Sequence, residues 1–116
     1  MRIAVRLAIL IAAAIAGYVA PAVADERKDS AAAAGRKLIE ANCARCHAIG
    51  AEGASPYSPA PPFRDVVLRY PLANLAEALA EGIVTGHPEM PEFVFEPADI
   101  EAILAYLDTL KPDAAK

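Results

Sequence analysis

A chain of 116 residues has room for one small domain, and its 11 Lys+Arg against 15 Asp+Glu exclude the basic field that nucleic acid demands. No basic cluster exceeds two residues. Tryptophan is absent, strand-forming runs are scarce, and ten prolines against six glycines suggest an ordered, loop-containing protein of the all-α class.

Residues 1–24 read as a secretory signal peptide. Arg2 and Arg6 form a positive start, Leu7 to Ala16 are entirely apolar, and Ala22-Val23-Ala24 supplies the small-x-small cleavage pattern. The competing reading is an uncleaved anchor, because Leu7 to Ala24 carries no charge over 18 residues. Pro21 and the alanine-rich cleavage pattern favour removal. The expectation is therefore an exported, periplasmic chain of residues 25–116 with no permanent membrane anchor. The 11 Lys+Arg less Arg2 and Arg6 leave 9 against 15 acids, a net charge of −6. So short a domain has a thin hydrophobic core, and a large apolar ligand would supply much of the missing interior.

From Ser30 to Cys46 the pattern is helical, with Ser30 as the expected N-cap and Gly35, Leu38, Ile39, Asn42, Cys43 and Cys46 at three-and-four spacing. Glycine inside a helix costs about 1 kcal/mol relative to alanine, so Gly35 is expected to admit another backbone or a ring. The helix runs into Cys43-Ala44-Arg45-Cys46-His47. At a helix end, residues i, i+3 and i+4 share a face, so two thiols and an imidazole point to one side. That is the arrangement for covalent attachment of one haem c: two thioethers along one porphyrin edge, with His47 beneath the iron. A CxxC pair also serves as a redox dithiol, a disulfide or half a zinc site. Zinc would need Cys43, Cys46, His47 and the only other histidine, His87, with two ligands adjacent in sequence. A redox dithiol calls for a βαβ setting, and no strand-like run flanks the motif.

Ala48 to Pro62 reads as loop, punctuated by Gly50, Gly53, Pro56, Pro59, Pro61 and Pro62. A backbone carbonyl there can accept the Nδ1–H of His47 and leave Nε2 free for iron. Phe63 is expected in the core or against the haem edge. Leu72 to Gly82 is a short amphipathic helix, started by Pro71 and ended by Gly82. The following loop, Gly86 to Phe93, holds His87 and Met90, the latter fixed between Pro88 and Pro91 and the sole methionine after Met1. Pro97 starts the last helix, whose expected buried stripe is Ile100, Ile103, Leu104, Leu107 and Leu110, with Lys111-Pro112 as its stop and Tyr106 off the stripe's centre.

Taken in order, Gly35, Cys43-x-x-Cys46-His47, Pro61-Pro62, Met90-Pro91-x-Phe93 and Ile100…Ile103-Leu104-Ala105-Tyr106-Leu107 make the chain resemble the small class I monohaem cytochromes c over nearly its full length after residue 24. The resemblance implies a small cytochrome c fold wrapped around one haem, with His47 and Met90 as axial ligands. It also implies that Pro61 or Pro62 offers the carbonyl to His47, and that the first and last helices cross near Gly35 and Tyr106. Few lysines flank the haem-proximal loops, unlike many members of that family. With both axial positions filled, iron has no vacancy for substrate, so the expected function is electron transfer between redox proteins by a monomeric carrier rather than an enzyme. The alternative is a dehydrogenase's cytochrome subunit or a ligand-binding, peroxide-reducing haem protein.

Overall fold

The computed structural model describes residues 20–82 and 88–112. They form four helices: α1 (Ala20–Asn42), α2 (Phe63–Arg69), α3 (Leu72–Glu81) and α4 (Pro97–Asp108). No strand occurs among the described residues, so the class is all-α.

Helix α1 begins well before Ser30, which lies inside it instead of capping it. Between Pro21 and Gly35 there is no helix breaker, and Glu26, Arg27 and Lys28 are good helix formers, so nothing stops the helix from extending. Residues 22–30 of this extension are exposed. Its one recorded tie is an exposed ion pair across to α4, Lys28 Nζ to Asp108 Oδ2 at 3.6 Å. Residues 1–19 of the expected signal segment lie outside the described residues, and the expected cleavage after Ala24 falls within α1.

The packing of α1 on α4 is the main helix–helix interface. Gly35 is buried at the crossing, where a Cβ would overlap the Ala102 carbonyl and stand 2.9 Å from Ile103 N. Only a residue without a side chain lets the two backbones meet this closely. The close approach is thus to the backbone of Ala102 and Ile103, about one turn before Tyr106. Tyr106 itself is a core residue, buried with Ile39, Ile100, Ile103 and Leu107, while Leu104 and Leu110 are only half-buried. The stripe of α4 is therefore rotated toward Tyr106, and its hydroxyl donates to Ile49 O at 2.8 Å. A buried phenol needs such a partner, which explains how tyrosine occupies a core position.

The sequence pattern does not predict helix α2, since Val66-Val67 is β-branched and the segment is only seven residues long. Pro62 precedes its first residue, Asp65 lies in its first turn and Arg69 in its last, each favourable to the helix dipole. Val67 from α2 and Leu79 from α3 complete the core. Gly82, at φ 94°, ends α3 in a conformation that favours glycine. Pro97 occupies the first turn of α4, as its fixed φ suits.

Candidate functional site

The Cys43–His47 motif prolongs the course of α1 by one turn. Cys43 N and Ala44 N both donate to Ile39 O (2.8 and 3.2 Å), and Cys46 N and His47 N both donate to Cys43 O (3.1 and 3.0 Å). Asn42 Nδ2 caps the preceding turn by donating to Leu38 O at 2.8 Å. This path puts Cys43, Cys46 and His47 on the wall of one cavity of about 590 Å³, together with Pro61, Met90, Phe63 and Phe93. Such a volume and apolar lining lie in the range of small-molecule and cofactor sites.

His47 is fixed on two sides. Its Nδ1 lies 2.7 Å from Pro61 O, and its ring stacks on Phe63 with centroids 4.8 Å apart and planes 16° from parallel. A carbonyl only accepts, so Nδ1 carries the proton in this contact and Nε2 is left with its lone pair. Pro62 has a different use. Its carbonyl accepts from Asp65 N (2.9 Å) and Val66 N (3.2 Å) as the cap of α2, and the residue does not line the cavity. Starting α2 occupies one of the two carbonyls, and the other faces the imidazole.

The loop between His47 and Pro61 is closed by crossed bonds. Ala48 N donates to Ser55 Oγ at 3.0 Å, Tyr57 N to Cys46 O at 3.2 Å, and Phe63 N to Ala48 O at 2.9 Å. Phe63 is the positioning residue the sequence left undecided: it touches both the core and the imidazole. Tyr57 and Phe93 also line the cavity. An aromatic two residues after Pro91 was visible in sequence, whereas nothing in the pattern singled out Tyr57.

Burial pushes the Cys43 thiol up to about 11. A reactive dithiol requires a thiolate, whose pKa is lowered by its surroundings. This site instead suits neutral sulfur, which is what a thioether is. Among the described residues no group of three or more His, Cys, Asp or Glu side chains is arranged to hold a metal ion. His87, the fourth ligand that zinc would need, lies outside the described residues. Arg64 Nη1, on the residue after Phe63, is buried without a hydrogen-bond partner among the described residues. Arg64 does not line the cavity, whose wall carries Arg45 instead. The residues present therefore fit a haem attached through Cys43 and Cys46.

Residues 32–111 match the family model described as Cytochrome c. The chain belongs to the cytochrome c family, as a class I member with a covalently bound haem c, a family of electron carriers. No curated protein and no solved structure matches it.

Proposed function

We propose that this protein is an exported, periplasmic carrier of single electrons, with His47 and Met90 as the two axial ligands of its haem iron. The observation that carries the reading is the orientation of His47. Pro61 holds Nδ1, Phe63 holds the ring plane, and Nε2 is the donor left for a metal, on a cavity wall that Met90 shares.

The haem supplies an iron that alternates between ferric and ferrous states. The protein's part is to hold the ligands still and keep water away. The Pro61 carbonyl makes the imidazole a better donor by accepting a hydrogen bond from its Nδ1–H. Pro88 and Pro91 restrict the backbone that presents Met90, so less chain entropy is lost when the thioether binds. Thioether sulfur favours the ferrous state and raises the potential relative to a second imidazole. Apolar walls limit the water that must reorient when the charge changes. Cys43 and Cys46 make the attachment permanent. No described helix is long and apolar enough to cross a membrane.

His87 shares the loop with Met90, and imidazole is the rival sixth ligand. Pro88 restricts His87 as Pro91 restricts Met90, so the choice rests on Met90 sharing the cavity wall with His47. Met90→Ala is expected to open the iron to water or added ligand and to lower the potential, while His87→Ala changes both little. Potentiometry and ferric spectra of the two variants check this. The reverse pattern would give the sixth position to His87.

A further inference from the structure

Charge is unevenly distributed along the chain. Between Tyr70 and Leu110 there are eight acidic residues and no lysine or arginine. That segment contains α3, the Met90 loop and α4. Two of its acids flank Met90 in the chain: Glu89 lines the cavity and is exposed, and Glu92, off the cavity lining, is exposed two residues beyond Met90. The Glu92 side chain is folded over Gly82, with Oε1 2.7 Å from where a Cβ would be. Its carboxylate thus sits at the carboxyl end of α3 next to exposed Glu81.

This is an unfavourable place for a negative group. The carboxyl end of a helix already carries partial negative charge on its free carbonyls, and a cation is the stabilising occupant there. Neither Glu89, Glu92 nor Glu81 takes part in an ion pair among the described residues, where the pairs are Lys28–Asp108, Arg36–Glu40 and Lys111–Asp108. Glu92 therefore lies over the end of α3, while Glu89 stands on the cavity wall that carries the residue we assign to the iron. A metal ion is not the evident occupant, since no described cluster has the arrangement to hold one.

We infer that this acidic rim, Glu81, Glu89 and Glu92 around the Met90 loop, is the docking face for a redox protein that presents lysine or arginine side chains. The inference rests on the carrier reading above and gives it a partner chemistry. Complementary charge acts mainly on the encounter rate and on which face meets the partner. The partner's cations would pair with Glu89 and Glu92. Contact there brings the partner to the loop that carries Met90.

A small probe tests the face without knowledge of the partner. In stopped flow, hexaammineruthenium(II) gives one electron to the ferric holoprotein; ruthenium becomes trivalent, iron becomes ferrous, and no bond or proton moves. Iron(II)–EDTA, an anionic one-electron donor, is the comparison. Glu89→Lys with Glu92→Lys should slow the cationic reaction on the order of tenfold at low salt, the scale of electrostatic steering. The same pair should speed the anionic reaction and flatten both salt dependences. Glu26→Lys with Glu101→Lys makes the same change in net charge at exposed positions off the cavity wall. That control should alter either rate by less than about twofold. Neutral Glu89→Gln with Glu92→Gln should fall between wild type and the lysine pair.

Equal effects of the rim and remote pairs would show that only net charge matters and would overturn the docking face. Failure of the carrier reading looks different. The wild-type protein would then take an electron from neither donor, or its ferrous form would bind carbon monoxide rapidly.

Discussion

The two walls of the cavity are held in different ways. On the His47 side, four backbone N–H groups donate within the 46–63 segment, the imidazole is tied to Pro61, and Tyr106 reaches across from α4 to Ile49. On the Met90 side, residues 88–96 have no regular structure, and the bond recorded from them to another element is Phe95 N to Leu79 O at 3.2 Å. Two prolines and the stacking of Phe93 on Phe95, at 5.8 Å, supply the remaining restraint. One proposed ligand is set by a network and the other by chain stiffness. An exchangeable position is therefore expected on the methionine side, because local opening starts where few bonds must break.

The comparison can be broken most severely at the scaffold that both walls share. Gly35→Val should cost about 3 kcal/mol or more, at the top of the usual overpacking range, because the new side chain meets backbone that cannot step aside. Both walls should loosen together. Exposed Ala34→Val is the control, and denaturant unfolding followed by Soret absorbance is the measurement. Equal midpoints would remove the crossing as a determinant of the site.

Phe63→Ala is next in size and should act on one wall. Phe63 is half-buried, so about 2–3 kcal/mol is expected, less than the roughly 3–5 kcal/mol for a fully buried phenylalanine. Its mark is a lower reduction potential with the sulfur ligand retained, since the imidazole loses the ring that fixes its plane. A loss of stability with the potential unchanged would make Phe63 a packing residue alone.

The smallest effect sharpens the contrast from the other wall. Pro88→Ala and Pro91→Ala should each cost on the order of 0.4–1 kcal/mol through chain entropy. That small cost should appear as easier displacement of Met90 by added imidazole, with little change in global unfolding. If the proline variants lowered the global midpoint as much as Phe63→Ala does, the two walls would form one cooperative unit.

Much of this site was legible because chemistry sets its spacing. Two thiols and an imidazole at i, i+3 and i+4 face one way on any helical turn, so Cys43, Cys46 and His47 were readable before any packing was known. Pro61 and Pro62 were equivalent in sequence. They differ because α2 uses the Pro62 carbonyl, and α2 was hidden by its length and its paired valines. The start of α1 was misjudged because Ser30 has the chemistry of a cap, but capping matters only where a helix has reason to begin. Gly35 announced a close approach without naming its partner, since a missing side chain carries no complement. The stripe of α4 shifted because the Tyr106 hydroxyl found Ile49 O, a bond no local pattern encodes.

That bond spans 57 residues of chain, and the Gly35–Ala102 crossing spans more. Both belong to α4, which follows the haem-attachment turn along the chain. Until it emerges, the haem-attachment turn is joined to an unclosed scaffold, and the loop around His47 has no strut. Closing so long a loop costs entropy that is regained only when the distant contacts form. Assembly thus has a built-in order. The attachment turn comes first along the chain, and the contacts that close the scaffold around it wait for α4.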